Sequence, residues 1–73
     1  MKRDKHAFNA GLHRLIAVMK QEGFPQSDIA KYFGITAPML HLFISEKRQF
    51  SEGRQLLIAE KIGLSYQEVI DFQ

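Results

Sequence analysis

The side chains able to do acid–base or metal chemistry in this sequence are three histidines, His6, His13 and His41, and eight carboxylates, with no cysteine. His6 and His13 stand seven residues apart, whereas two ligands on one helix face want a spacing of four, and no thiolate completes a set. Metal binding is therefore not expected. No serine sits in a nucleophile elbow, no glycine-rich loop could cradle a phosphate, and the acids are scattered along a chain too short to fold around a deep pocket. The expectation is a protein that is not an enzyme and takes no cofactor and no small-molecule ligand.

What remains is positive charge. Lys47 and Arg48 are an adjacent basic pair, and Lys2, Arg3 and Lys5 cluster at the N-terminus. The net charge of +2 is too small to demand an anionic partner by itself. Its distribution says more. Residues 1–54 hold nine Lys and Arg against five Asp and Glu, a net +4, and residues 55–73 hold Lys61 against three acids, a net −2. An anion-binding face should lie in the first three quarters of the chain.

The elements that must position these residues follow from apolar spacing. Phe8, Leu12, Leu15, Ile16 and Met19 form one helical stripe, with Asp4 as N-cap and Gly23 as stop, which predicts a helix near residues 5–22. Ile29, Ala30 and Phe33 make a two-turn segment ended by Gly34. Thr36 caps a third, with Pro38 in its first turn and Leu40, Phe43 and Ile44 facing inward. Ser51 precedes a fourth with Leu56, Ile58, Ala59 and Ile62 as its apolar set, stopped by Gly63. Ser65 with Glu68 three residues on is a capping box before Val69 and Ile70. No stretch alternates with period two, so the fold expected is all-α, a single compact five-helix domain over residues 1–73, with residues 1–5 a mobile basic arm. Seventy-three residues, 45% of them apolar, are enough for one core. No apolar run reaches the ~18 residues of a bilayer span and no signal-peptide pattern follows the basic N-terminus, so a cytoplasmic location is expected.

Residues 26–45 read as one unit: two short helices joined by a tight glycine turn, the helix-turn-helix arrangement. Ala30 is small where the second helix must cross closely, and Gly34 supplies the positive φ of a sharp turn. The run Pro25-Gln26-Ser27-Asp28-Ile29-Ala30-Lys31-Tyr32-Phe33-Gly34-Ile35-Thr36 resembles the phage-repressor and Cro-like helix-turn-helix family. The segment from Ser51 through Ile62-Gly63-Leu64-Ser65 to Glu68-Val69-Ile70 is similar to that family's fourth and fifth helices. The resemblance covers about residues 12 to 71.

That resemblance implies a sequence-specific regulator of transcription, bound as a homodimer to a palindromic operator in double-stranded DNA. It puts the helix Ala37 to Ile44 in the major groove, and the end of the first helix, the start of the second and the loop after the third on phosphates. Gln26 matches the family's glutamine that holds a phosphate and braces a base-reading side chain. Lys47 and Arg48 fall where the family contacts the backbone, Lys31 and Arg54 could add to them, and Lys2, Arg3 and Lys5 match an arm that wraps DNA.

One departure stands out. The outward positions of the third helix are Thr36, Ala37, Pro38, Met39, His41 and Leu42, where the family usually carries hydrogen-bonding side chains. Only Thr36 and His41 can bond base edges; Ala37, Pro38 and Leu42 could meet thymine methyl groups. An apolar patch of Pro38, Met39 and Leu42 would also suit a protein partner, which keeps open a second class: a non-enzymatic adaptor or antirepressor. Dimerisation is expected to use the fifth helix, through Tyr66, Val69 or Phe72, or to depend on DNA.

Overall fold

The computed structural model describes residues 3–73. Met1 and Lys2, and with them the Lys2 part of the expected arm, lie outside the described residues. Among the described residues five helices follow one another: α1 Lys5–Gln21, α2 Gln26–Phe33, α3 Ala37–Ile44, α4 Glu52–Ile62 and α5 Tyr66–Ile70. There is no strand among the described residues. None of these helices is long and apolar enough to cross a membrane.

Local chemistry sets the boundaries. The Asp4 carboxylate accepts from the Ala7 N–H at 3.0 Å, satisfying one of the donors that a helix start leaves without a partner. Thr36 Oγ1 accepts from Met39 N–H at 3.2 Å to open α3, and Ser51 Oγ accepts from Arg54 N–H at 3.4 Å to open α4. At α5 both halves of the capping box form: Glu68 N–H donates to Ser65 Oγ at 3.1 Å and Ser65 N–H to Glu68 Oε1 at 3.0 Å. That reciprocal cap holds together a helix of only five residues.

The α1 stripe buries Phe8, Leu12, Leu15 and Ile16 as the spacing predicts, and the core continues through Ile29, Phe33, Leu40, Phe43 and Ile58. Each fully buried phenylalanine contributes about 2 to 3 kcal/mol through its removal from water. α1 packs along α5, while α2 packs on both α3 and α4. Phe50, in the connection before α4, closes the core by stacking on Phe43 with ring centroids 4.4 Å apart.

Two expectations need correction. Leu56 does not face inward: it is 40% exposed, and Gln55 beside it is fully buried. A polar residue occupies the inward position because its amide finds partners there. Gln55 Nε2 donates to the Lys5 carbonyl and to Asn9 Oδ1, both at 3.0 Å, and its Oε1 accepts from Tyr66 Oη–H at 2.6 Å. A buried amide so bonded avoids the desolvation penalty that otherwise excludes it. The basic arm is also shorter than expected. Lys5 is the first residue of α1, and Arg3 lies against the body of the domain, 3.9 Å from the Glu52 carboxylate and 5.8 Å from the Tyr66 ring centroid.

Candidate nucleic-acid interface

The α2–α3 connection is three residues long. Gly34 takes φ +72°, and the Ile35 N–H reaches back to the Ala30 carbonyl at 3.0 Å. A side chain at Gly34 would also meet Lys61, whose Cγ would stand 3.2 Å from the new Cβ. The Lys61 stem therefore lies across this turn and brings a cation from α4 to the α2–α3 pair. Its place among the C-terminal acids hides this, since only the packing of α2 on α4 carries it there.

α3 turns Leu40 and Phe43 into the core and leaves Ala37, Pro38 and His41 exposed, with Thr36 exposed at its start. Met39 and Leu42 are half-buried, so the outward apolar surface is smaller than the sequence suggests. The Thr36 hydroxyl oxygen already accepts the cap bond.

Donors precede and follow this helix in the chain. At the start of α2, Pro25 is the N-cap and offers no side-chain hydrogen bond. Among the described residues, the N–H groups of Gln26 and Ser27 have no partner, while those of Asp28 and Ile29 turn to the Pro25 carbonyl. Such N–H groups at the positive end of a helix suit an anion. Gln26 and Lys31 are exposed.

Beyond α3 the chain turns through Glu46, which holds φ +60°, and the Lys47 N–H bonds the Leu42 carbonyl at 3.1 Å. Lys47 and Arg48 follow, both exposed. Arg48 and Arg54 share the wall of a shallow recess of about 210 Å³ with Met39, Gln49, Phe50 and Ser51. Arg54 thus joins Arg48 beside α3, and Gln49, which sequence spacing does not single out, adds an amide.

Arg3 and Lys5 are not part of this cluster. Arg3 and Lys5 line a separate surface depression with Asp4 and His6, and Arg3 sits against α4 and α5 as described.

The expected contact residues of α5 also need correction. Val69 is fully buried in the core and cannot meet a partner. Tyr66 is half-buried, stacks on Phe8 with centroids 4.4 Å apart, and has its hydroxyl committed to Gln55. Burial pushes its phenol up in pKa, with Glu52 and Asp4 adding to the shift and Arg3 opposing it. Of the three expected residues, Phe72 is the exposed one, at 38%.

One histidine bears on α3 from behind. His13 of α1 stacks on Phe43, centroids 4.1 Å apart and planes 11° from parallel, and its Nε2 is buried without a hydrogen-bond partner. Burial lowers its pKa, with the nearby Glu46 carboxylate partly offsetting the effect. No three His, Asp or Glu side chains come together as a metal site among the described residues.

Comparison with protein-family models, with curated proteins and with solved structures finds no match to this chain.

Proposed function

We propose that this protein is a DNA-binding regulator of transcription, a helix-turn-helix domain of phage-repressor or Cro type acting as a homodimer on a two-fold site in double-stranded DNA. The observation that carries this reading is the arrangement around α3. The exposed face of α3 bears Thr36, Ala37, Pro38 and His41; before it in the chain come the Gln26 and Ser27 N–H groups, which have no partner among the described residues, and after it come the exposed Lys47 and Arg48, with Arg54 sharing a recess with Arg48 and Met39. In this reading the α2 start and the post-α3 loop hold phosphates on either side of the groove that α3 enters. His41 donates to a guanine acceptor or a phosphate, while Ala37, Pro38 and Leu42 meet thymine methyl groups and leave part of the selectivity to DNA deformability. Lys31 and Lys61 add positive potential at the turn.

Titration against random-sequence duplex at several salt concentrations tests this directly. With about four to six phosphates neutralised per protomer, log K falls against log salt with a slope of about −4 to −5. Replacing Lys47 and Arg48 together by alanine reduces the slope by about two. Absence of salt-dependent binding refutes the DNA reading. Capture of a protein partner that is lost in His41→Ala and Leu42→Ala would put the adaptor in its place.

A further inference from the structure

α4 carries two adjacent leucines outside the core, Leu56 at 40% and Leu57 at 56% exposed. Its inward side is defined by Gln55, Ile58 and Ala59. With 3.6 residues per turn, the opposite side is centred on Gly53 and spans Leu56, Leu57 and Glu60. Gly53 has open space above it, with no atom within 4 Å of where a Cβ would stand.

The charges on α4 are sorted about that midline. Turning 100° per residue places Glu52, Leu56 and Glu60 on one side of it and Leu57, Arg54 and Lys61 on the other. Glu52 and Glu60 therefore edge one flank, and Arg54 and Lys61 the other, which is the flank that borders α2 and α3. Two copies meeting face to face with α4 parallel put the left flank of each against the right flank of its partner. Acid then faces base on both sides and Leu56 faces Leu57 across the centre. Antiparallel helices would instead bring acid to acid and base to base, which is unfavourable.

We propose that the outer face of α4 is the self-association surface of this protein, pairing two copies through parallel α4 helices about a two-fold axis running along them. This inference does not depend on DNA binding, and it moves the dimer contact away from α5. The contact of Glu52 with Arg3 does not stand in its way, since both side chains are about half exposed, at 45% and 49%, and the pair is weak. A helix of 11 residues is about 16 Å long, so the interface is of the small, weak kind and is formed at high protein concentration or on a two-fold DNA site.

The chain has no cysteine, which makes single-cysteine crosslinking unambiguous. In a parallel pair Gly53 meets Gly53 and Glu60 meets Glu60. Gly53→Cys and Glu60→Cys, each oxidised alone and without DNA, should both form disulfide dimers well above the background set by Ala10→Cys on exposed α1. An antiparallel pair would crosslink only a mixture of the two. In sedimentation of the parent chain at high concentration, dimer should be present, Leu57→Glu should be monomeric with unchanged helicity, and Phe72→Glu should still associate. The proposal is overturned if either cysteine variant stays at background, if only the mixture crosslinks, or if the parent is monomeric throughout or loses association with Phe72→Glu instead.

Discussion

Gly11 of α1 lies directly against the backbone of Val69 in α5: a Cβ at Gly11 would overlap the Val69 carbonyl oxygen and stand 2.8 Å from its carbon. The missing side chain lets α5 settle onto α1 closely enough for Val69 to be completely buried. Because the obstacle is backbone rather than a flexible side chain, Gly11→Ala should cost about 2 to 3 kcal/mol in denaturant unfolding. Gly53→Ala, in a helix with open space around it, should instead gain about 0.5 to 1 kcal/mol. A neutral Gly11→Ala would mean that α1 and α5 do not approach in this way.

α3 ends on an αL residue that is not glycine. Glu46 holds φ +60° with its N–H on the Phe43 carbonyl and the next N–H, that of Lys47, on the Leu42 carbonyl. A non-glycine residue held there costs about 1 kcal/mol or more. Glu46→Gly should raise the unfolding free energy by about 1 kcal/mol, and Glu46→Ala should not. Equal effects of the two would trace the gain to the lost carboxylate rather than to the backbone.

The Gln55 amide joins α1, α4 and α5. Tyr66→Phe leaves Gln55 Oε1 buried without its 2.6 Å donor and should destabilise by about 1 to 2 kcal/mol. Once Gln55→Leu has removed the acceptor, adding Tyr66→Phe should cost less than it does alone. A double-mutant cycle with no coupling would separate the two residues.

His13 makes stability depend on pH with a defined sign. Burial depresses its pKa in the folded state from the ordinary value of 6.5, so the folded ring resists a proton that the unfolded chain accepts. Stability is full above that ordinary value, falls as pH drops through it, and levels off once the pH is below the depressed folded value. His13→Gln should flatten this dependence in thermal melts between about pH 7.5 and pH 5. A slope that persists in the variant belongs to other groups.

Base reading and phosphate holding should separate in the variants of the proposed DNA face. His41→Ala should cost about 1 to 3 kcal/mol on the preferred duplex, relax the choice of base at one position and leave the salt slope unchanged. Lys47→Ala should weaken all duplexes alike and lower the slope by about one. Competition assays with mismatched duplexes distinguish the two patterns, and a His41→Ala effect that is uniform across sequences would assign His41 to phosphate.

Helix existence and helix ends were legible in the sequence because they depend on atoms a few residues apart. Asp4, Thr36, Ser51 and Ser65 each cap from within three residues, and α1 closes at Gln21 against an expected 22. The apolar stripe of α1 and the inward Leu40 and Phe43 follow from the same short-range periodicity. Thr36, Ala37, Pro38 and His41 could be placed on the outside of α3 for that reason.

Which of two neighbouring residues turns inward was decided elsewhere. On α4, apolarity favours Leu56 over Gln55, but Asn9, the Lys5 carbonyl and Tyr66 supply partners from distant parts of the chain and reverse the choice. Val69 was open as a contact residue until Gly11 brought α5 down onto α1. Lys61 reads as a member of the acidic tail, yet helix crossing lays it over Gly34. Met39 of α3 meets Arg48 and Arg54 only through the fold of the intervening turn. Caps and periodicity act along one helix and are written in its residues, whereas burial, partner and electrostatic neighbourhood depend on which helices cross and how closely, and those distances exist only once the core has packed.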